Sequence, residues 1–328
     1  MNPLSALYGA GINVRNRLYD RGTFRARRLQ APVVSVGSIS AGGAGKTPFV
    51  ILLGELLMQR GVAFNVLSRG YERKTKGVLL VDPAGTPQEF GDEPLLIARK
   101  LGVPVIVGEN RYEAGQFAEE KFGLQAHLLD DGFQHRRLAR DFDIVLITQR
   151  DLQDSLLPVG RLREPLSSMA RASALVFMDG ASSDAIAVRA GQHVWRVSRG
   201  IVAPETQEAC FAFCGIARPQ SFFAELGTAG VRVAGTCSFP DHHAYTARDV
   251  ELLFKQGQET GATAFVTTEK DAVNLGDNID RLRPLHVATV RMQFEHSPEA
   301  VAGVDAAALV GDVLAALIAS QNETRVRE

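Results

Sequence analysis

Short apolar runs alternate with amphipathic stretches along most of the 328-residue chain. Runs with the length of buried strands predict β-strands at 32–37, 62–67, 77–82, 103–107, 126–130, 142–148 and 173–178. Helical spacing of apolar positions predicts helices at 46–59, 92–101, 110–122 and 164–171. Because strands and helices alternate, we expect an α/β fold with a largely parallel sheet.

A second series of elements occupies the last third of the chain. It consists of strands at Cys210–Cys214, Val231–Cys237, Ala264–Thr267 and Leu285–Val290, and of helices at 219–227, 247–258 and 303–319. The stretch 195–209 between the two series lacks strong periodicity and contains Gly200 and Pro204. We therefore predict a core domain at 31–200 and a smaller C-terminal α/β domain at 201–328.

The segment 1–30 differs from the rest of the chain in its charge. Its basic residues are Arg15, Arg17, Arg21, Arg25, Arg27 and Arg28, against the single acid Asp20. The apolar residues ahead of them are spaced for one helical face: Leu4, Leu7, Tyr8, Ile12 and Val14. Such a basic amphipathic helix is either a membrane-surface anchor or a helix packed on the protein's own core with solvated arginines.

Composition and charge exclude several classes of protein. With 45% hydrophobic and 22% charged residues and a net charge of −1, the chain resembles a soluble globular protein without a nucleic-acid partner. The three cysteines, Cys210, Cys214 and Cys237, form no metal-binding pattern, and their odd number suits a reducing compartment. No apolar run has the length of a membrane span and no signal peptide is evident, so we expect a cytoplasmic protein.

A glycine-rich loop lies between the first strand and the helix at 46–59. It contains Gly42, Gly43, Ala44, Gly45, Lys46 and Thr47. Glycines let backbone N–H groups surround phosphate oxygens, the lysine would contact the β- and γ-phosphates, and the threonine hydroxyl would bind Mg²⁺. The strict phosphate-loop pattern has glycine where Ser40 stands. We expect nucleotide binding, the alternative being a tight turn before an ordinary helix.

Acidic residues occur at the ends of loops and strands where they could serve catalysis. Asp130 and Asp131 follow the strand candidate Ala126–Leu129, and a carboxylate there can bind Mg²⁺ beside a phosphate loop. The alternative is a solvated turn. Asp92 opens a predicted helix, either as its N-cap or as a general base for a hydroxyl acceptor.

Basic and histidine residues follow other predicted strands. His242 and His243 diverge as neighbours and lack a third ligand, which favours a histidine that orients a catalytic carboxylate over a metal site. A capped loop before the next helix is the alternative. Arg69 and Arg111 suit contacts to a phosphate or an acidic substrate, although surface ion pairs would explain them equally. The stretch 267–271 is similar to the guanine-reading motif of GTPases, but its wrong residue order argues against GTP.

Taken together, these motifs closely resemble the tetraacyldisaccharide 4′-kinases, the lipid A 4′-kinases of Gram-negative bacteria. The resemblance runs in order over residues 1–275. It is carried by Val36–Ile39, Gly42–Pro48, Leu67–Tyr71, Gly91–Pro94, Asn110–Arg111, Leu129–His135, Leu157–Glu164, Asp241–His243 and Thr268–Asp271. It implies a P-loop NTPase-like core and transfer of the γ-phosphoryl group of ATP, with Mg²⁺, to the 4′-hydroxyl of a tetraacylated glucosamine disaccharide 1-phosphate. The product would be lipid IVA.

The same resemblance implies roles for individual residues. Asp92 matches the catalytic carboxylate and His242 its partner. Lys46 matches the loop lysine, Thr47 a magnesium ligand, and Asp130 or Asp131 the second-strand acid. Glu93 and Glu164 match acids near the metal and acceptor, and with the strand-end arginines Arg69 and Arg111 we expect them to bind the substrate. It also implies that the N-terminal helix attaches the enzyme to the cytoplasmic face of the inner membrane, with no obligate protein partner. Two alternatives remain open: a P-loop kinase for a soluble metabolite, and a nucleotide-dependent switch or metallochaperone ATPase.

Overall fold

The structure, a computed structural model, describes residues 2–183, 186–295 and 306–327. Its helices are α1 (Pro3–Asp20), α2 (Lys46–Gln59), α3 (Pro87–Phe90), α4 (Asp92–Leu101), α5 (Arg111–Lys121), α6 (Pro219–Thr228), α7 (Ala247–Glu259), α8 (Glu269–Leu275) and α9 (Ala306–Arg327). Its strands are β1 (Val33–Ser38), β2 (Phe64–Ser68), β3 (Leu79–Leu80), β4 (Val105–Val107), β5 (Ala126–Leu129), β6 (Phe142–Ile147), β7 (Ala174–Met178), β8 (His193–Val202), β9 (Cys210–Cys214), β10 (Val233–Ser238), β11 (Ala264–Thr268) and β12 (Leu285–Phe294). Three short 3₁₀ helices cover Asp151–Gln153, Leu166–Arg171 and Gly276–Leu282.

The strands of the described residues form one continuous sheet. Its order is β10-β9-β11-β12-β8-β7-β6-β1-β5-β2-β4-β3. Pairing is parallel except between β12 and β8 and between β3 and β4. The predicted α/β class with a largely parallel sheet is therefore confirmed.

Helices on both faces of the sheet bury the strand that leads into the glycine-rich loop. Val34 and Val36 of β1 pack in the same core as α2, while Val33 packs on the opposite face with Ala114 and Ala118 of α5. Successive side chains of a strand point to opposite faces, so a strand covered on both sides is buried along its whole length, as β1 is. This packing fixes the carboxyl end of β1 and the loop that follows it.

The strand β8 crosses the position at which the sequence predicted a domain boundary. It pairs with β7 on one side and with β12 on the other. Several of its side chains are exposed, so it lacks the uniform apolar run that made the other strands recognisable. The division into domains at 31–200 and 201–328 stays a prediction.

The last helix packs against the first half of the chain. Val310, Leu314 and Ile318 of α9 are buried in the core that also contains α2. Arg60, just after α2, donates from Nε to Asp312 at 2.9 Å. The predicted helix at 303–319 corresponds to α9, which extends further, although residues 303–305 lie outside the described residues.

The predicted N-terminal helix is present; three of the five apolar residues of its predicted face are turned towards solvent, while Tyr8 and Ile12 are half-buried. Its exposed apolar side chains are Leu4 (61% exposed), Leu7 (73%) and Val14 (56%). Its buried residues are instead small or polar: Ser5, Gly9 and Asn16. Within residues 2–183, 186–295 and 306–327, no helix combines the length and the apolar character needed to cross a membrane.

Candidate active site

The glycine-rich loop adopts a conformation that only glycine tolerates well. Gly42, Gly43 and Gly45 have positive φ angles of 68°, 69° and 79°. A side chain at Gly45 would also approach the Cε atom of Met292 to 2.7 Å, so this position is restricted by space as well as by backbone conformation. The loop therefore turns sharply into α2 and lines a cavity of about 270 Å³.

That cavity is lined by both halves of the chain. The loop contributes Gly42, Gly43, Ala44, Gly45, Lys46 and Thr47. Across it lie residues at or just after the carboxyl ends of β9, β10 and β11: Ile216, Ala217, Arg218, Asp241, His242, Thr268, Glu269 and Lys270. Glu93 of α4 also lines the cavity, which places a carboxylate from the first half beside these groups.

The two aspartates after β5 occupy different electrostatic environments. Burial raises the pKa of Asp130 to about 7, and Glu93 and Asp131 add to the shift. Burial also opposes ionisation of Asp131, but Lys46 and Arg163 outweigh it and lower the pKa of that carboxyl group to about 2. The Nζ atom of Lys46 lies 3.6 Å from Asp131 Oδ1.

These carboxylates fit a divalent cation. Asp130 Oδ1 is buried without a hydrogen-bond partner among the described residues, while Oδ2 accepts from the hydroxyl of Ser68 at 3.1 Å. Mg²⁺ prefers oxygen ligands, usually one or two carboxylates together with phosphate oxygens and water. Thr47, the second residue of α2, carries a hydroxyl next to the loop, and its role as a magnesium ligand stays a prediction.

Asp92 and His242, the predicted catalytic pair, are in direct contact. The Nδ1 atom of His242 lies 2.9 Å from Asp92 Oδ2 and 3.1 Å from Oδ1. Asp92 lies in the first turn of α4 and is only 5% exposed. Gly91, not Asp92, is the N-cap residue, so capping does not explain the carboxylate.

The surroundings keep Asp92 ionised. Burial raises its pKa, but hydrogen bonding from His242 and the charge of Lys270 outweigh burial, so the net shift is downward. Asn274 also donates to Asp92 Oδ2 at 3.1 Å, and the backbone N–H of Glu93 donates to Oδ1 at 2.8 Å. For His242, burial lowers the pKa, yet the hydrogen bond with Asp92 gives a net upward shift.

His242 is held by its own loop in an unusual backbone conformation. Its φ angle is 60°, in the left-handed region that few residues other than glycine adopt. The backbone N–H donates to Asp241 Oδ1 at 3.1 Å and to Gly215 O at 3.2 Å. The ring of Tyr71 contacts the imidazole edge-on, with centroids 5.4 Å apart.

The predicted substrate-binding arginines, Arg69 and Arg111, lie near Asp130 and Asp131. Arg111 is 6% exposed, and burial lowers its pKa to about 10, with the positive charge of Arg69 adding to the shift. Its Nε atom has no partner among the described residues, while Nη1 donates to Glu109 O at 3.1 Å. A buried guanidinium with a free donor next to a second arginine suits an anion.

Glu164 differs from the other predicted site residues, because its carboxylate bonds to Arg171 and to Asn16 of α1. It is fully buried and accepts from Arg171 at 2.7 and 2.8 Å and from Asn16 of α1 at 2.7 Å. Hydrogen bonding to Arg171 is the leading effect that lowers its pKa against the opposing effect of burial. In this structure the carboxylate fastens α1 to the body of the protein, and a contact to the acceptor stays a prediction.

Sequence reasoning missed several groups in the site. Lys270 belongs to a stretch that carries the family resemblance, but the sequence assigned it no role, and Asn274 was not among the predicted site residues. The two are one helical turn apart on α8, and both contact the catalytic pair. The signal was available, because an i, i+4 pair of polar residues directly after a buried strand faces one side. Arg218 lies close to the loop: a Cβ atom at Gly43 would come within 3.6 Å of its Nε atom.

Comparison with known proteins identifies the family. The family model described as tetraacyldisaccharide-1-P 4′-kinase matches residues 1–308. The chain belongs to this family. Membership confirms the predicted activity, a phosphotransferase that acts on an alcohol group in lipid A biosynthesis.

Individual relatives agree with the family model. A tetraacyldisaccharide 4′-kinase from Koribacter versatilis is 48% identical over 311 residues, which cover 92% of this chain and 96% of that protein. One from Aquifex aeolicus is 39% identical over 290 residues, covering 83% of this chain and 88% of the relative. All these alignments include the larger part of both chains.

A solved structure supports the fold and the nucleotide. The crystal structure of the "apo" form of LpxK from Aquifex aeolicus in complex with ATP matches with a TM-score of 0.75 and 33% identity, covering 96% of this chain and 98% of that one. The predicted P-loop NTPase-like fold is confirmed by this match. The ATP complex of the relative supports the prediction that ATP is the phosphoryl donor.

Proposed function

We propose that this protein transfers the γ-phosphoryl group of ATP to the 4′-hydroxyl of tetraacyldisaccharide 1-phosphate, with Asp92 as the proton acceptor. The observation that carries the proposal is the contact between Asp92 and His242 beside the loop cavity. A sugar hydroxyl is a poor nucleophile, so a carboxylate that accepts its proton as the new bond forms assists the reaction. The product is the 4′-phosphorylated lipid and ADP.

The phosphate side of the site stabilises charge during transfer. Lys46 and the backbone N–H groups of the loop provide positive potential for the phosphoryl oxygens. Thr47 with Asp130 or Asp131 would hold Mg²⁺, and the unpartnered Asp130 Oδ1 supports that assignment. When bound, the metal ion neutralises negative charge on the phosphates. Arg163 keeps Asp131 in place through two hydrogen bonds of 2.9 and 3.0 Å.

The acceptor side of the site binds an anionic lipid. The buried Arg111 would contact the acidic disaccharide, because desolvated guanidinium groups bind phosphate strongly, and the exposed Arg69 would add positive charge beside it. Glu93 borders the cavity and lies 3.9 Å from Lys270 Nζ. We assign Glu93 to the acceptor side, next to the hydroxyl that Asp92 deprotonates.

The helix α1 would bring the enzyme to the cytoplasmic surface of the inner membrane. Its exposed side chains Leu4, Leu7 and Val14 share one face, and arginines lie near its C-terminal end. An apolar face flanked by basic residues binds anionic lipid surfaces through burial and charge together. The polar contacts of Asn16 and Tyr8 with the protein body leave this face free.

A phosphoryl-transfer assay tests the proposal directly. Radiolabelled ATP is incubated with the disaccharide 1-phosphate in detergent micelles, and the lipid product is separated and counted. We expect transfer that depends on the 4′-hydroxyl and on added Mg²⁺. The control acceptor lacks only the 4′-hydroxyl. Equal labelling of both acceptors would refute the proposed position, and undiminished transfer in excess chelator would refute the metal assignment.

A further inference from the structure

Lys270 lies beside Nε2 of His242, the ring nitrogen that is not bonded to Asp92. Its Nζ atom is 3.0 Å from His242 Nε2 and 3.1 Å from Asp241 Oδ1. It also lies 3.7 Å from Asp92 Oδ2. The lysine comes from the first turn of α8, and Asn274 of the same helix donates to Asp92 one turn later.

The donor and acceptor inventory of these groups restricts the imidazole to one form. An ammonium group has three donors and no acceptor, so Nε2 at 3.0 Å must present its lone pair to Lys270. An ionised carboxylate only accepts, so Nδ1 must carry the hydrogen that is shared with Asp92. The geometry is satisfied only by a neutral ring protonated at Nδ1. A cationic ring would direct its Nε2–H at the ammonium group.

We propose that Lys270 is a positioning residue that keeps His242 Nε2 free of a proton and thereby preserves Asp92 as a base. A doubly protonated ring would pair with Asp92 as an imidazolium ion and would weaken the carboxylate as a proton acceptor. Lys270 prevents this by occupying the Nε2 position with its own donors and positive charge. The inference rests on the proposed role of Asp92 and adds a residue to it.

The charged groups around His242 determine whether its imidazole ring is neutral or protonated. Asp92 and Glu93 of α4 favour a charged ring. Asp241, next to His242 in its own loop, lies 3.9 Å from Nε2. Lys270 is the cation that faces the ring among the described residues, and it opposes these three acids. Burial lowers the pKa of Lys270, but Asp92, Glu93 and Asp241 outweigh burial and raise it, so the amine stays protonated.

The test compares variants of Lys270 in the full-length protein. Lys270→Met removes the charge while retaining the length of the side chain, and Lys270→Arg retains a group that only donates. Lys255→Met is the matched control, because that lysine is 75% exposed on α7 and its ion pair with Glu259 spans 3.9 Å. Three quantities are measured: the ¹⁵N shift of His242 Nε2 across pH, the pH profile of kcat, and KM for ATP.

We expect Lys270→Met to leave Nε2 protonated at pH values where the parent ring is neutral. Neighbouring charges within about 4–6 Å shift a pKa by roughly one unit or more, so the acid limb of kcat should move up by about one pH unit. At pH values below both limbs, kcat of Lys270→Met should therefore be about tenfold lower than kcat of the parent, since one pKa unit corresponds to a factor of ten. KM for ATP should be unchanged. Lys270→Arg and Lys255→Met should retain the parent's Nε2 signal.

Two results would overturn the inference. One is an Nε2 atom that stays unprotonated in Lys270→Met over the same pH range as in the parent. The other is protonation of Nε2 in Lys270→Arg to the same extent as in Lys270→Met. If Lys270→Met lowers the melting temperature, Lys270→Gln gives the same readout, because its neutral amide can accept from Nε2–H.

Failure of the proposed function is recognised separately. If Asp92→Asn retains the parent's kcat, Asp92 is not the base. The ¹⁵N measurement still decides whether Lys270 controls the protonation of His242.

Discussion

The phosphate loop uses one run of chain, residues 42–47, whereas the Asp92–His242 contact joins residues 150 positions apart. The loop's shape follows from its own glycines and from the start of α2. The catalytic pair instead depends on how α4 meets the loop after β10, with α8 packed against both. The loop that binds the phosphate donor is therefore determined by its local sequence, whereas the Asp92–His242 pair on the acceptor side is determined by tertiary packing.

This difference makes the two sides respond differently to substitution. A change in the loop affects a group that contacts phosphate directly and leaves the rest of the site in place. A change at the catalytic pair affects a unit whose members act through each other, so the losses should not add. The predictions below separate these behaviours, from the largest expected effect to the smallest.

Lys46→Ala should reduce phosphoryl transfer by about 10³-fold or more, because a cation at the transferring phosphoryl group stabilises the transition state strongly. The fold should survive, since Lys46 contacts Asp131 and the cavity, not the apolar core. Single-turnover assays and melting temperature measure the two effects. Lys255→Ala is the control. Turnover within twofold of the parent would remove Lys46 from the phosphate site.

Asp92→Ala should lower kcat by about 10²–10⁴-fold, the usual contribution of a general base, with little change in ATP affinity. His242→Ala should also lower kcat, and the double variant should be scarcely worse than the poorer single variant. The cycle requires kcat, ATP affinity and melting temperature for all three proteins. Losses that multiply would mean that the two residues act independently, which would break the contrast with the local phosphate loop.

Neutralising the exposed arginines of the N-terminal segment should weaken delivery of the acceptor while leaving the donor side intact. Each of the substitutions Arg17→Gln, Arg21→Gln and Arg25→Gln should remove about 1 kcal/mol of attraction to an anionic surface. The triple variant should therefore partition to anionic vesicles roughly a hundredfold more weakly at low salt. The effect should shrink at high salt because surface charges are screened. Vesicle sedimentation across a salt series measures it, and KM for ATP in micelles should not change.

The control for this experiment neutralises three exposed arginines outside the N-terminal segment 1–30, namely Arg232, Arg248 and Arg283. Equal vesicle binding by the two triple variants would contradict the anchor. A parallel variant, Leu4 and Leu7→Ser, tests the apolar face and should lower binding at every salt concentration.

The pH dependence of kcat should report the catalytic pair and not the phosphate loop. The net upward shift in the pKa of His242 means that activity is present above this raised value and lost as pH falls through it. The acid limb should therefore lie above the ordinary histidine value of about 6.5, with kcat falling about tenfold per pH unit below it. Rapid-quench assays between pH 5 and 9 measure the profile; a limb that persists in His242→Ala would assign it to another group.

Much of the core was predictable because uniform burial leaves a uniform pattern. The strands β1, β5, β6 and β7 are buried along their whole length, and each was predicted as an apolar run. The strand β8 was not predicted, because it is partly exposed and has no continuous apolar run. Its hydrogen bonds to β7 and β12 hold it in the sheet instead. The short helix α8 was missed for a similar reason, since its role lies in the polar contacts of Lys270 and Asn274.

The N-terminal helix shows the limit of pattern reading most directly. Its periodicity predicted a helix with an apolar face, and the helix is present. Periodicity alone could not decide whether that face packs inward or outward. Contacts made by Asn16 with Glu164 and by Tyr8 with the backbone of Arg163 decide it, because they hold that side of the helix against the protein and leave Leu4, Leu7 and Val14 exposed.

The amino-acid sequence by itself determined the elements whose signals are local: the buried strands, the helix after the glycine-rich loop, and the residue types at strand ends that carry phosphate chemistry. These follow from propensity, periodicity and backbone conformation within a few residues. Only the tertiary structure decided that Asp92 is buried against His242, that Lys270 faces the other ring nitrogen, and that α9 returns to cover α2. Such contacts depend on the packing of elements far apart in the chain, and each partner's local sequence is compatible with many other neighbours.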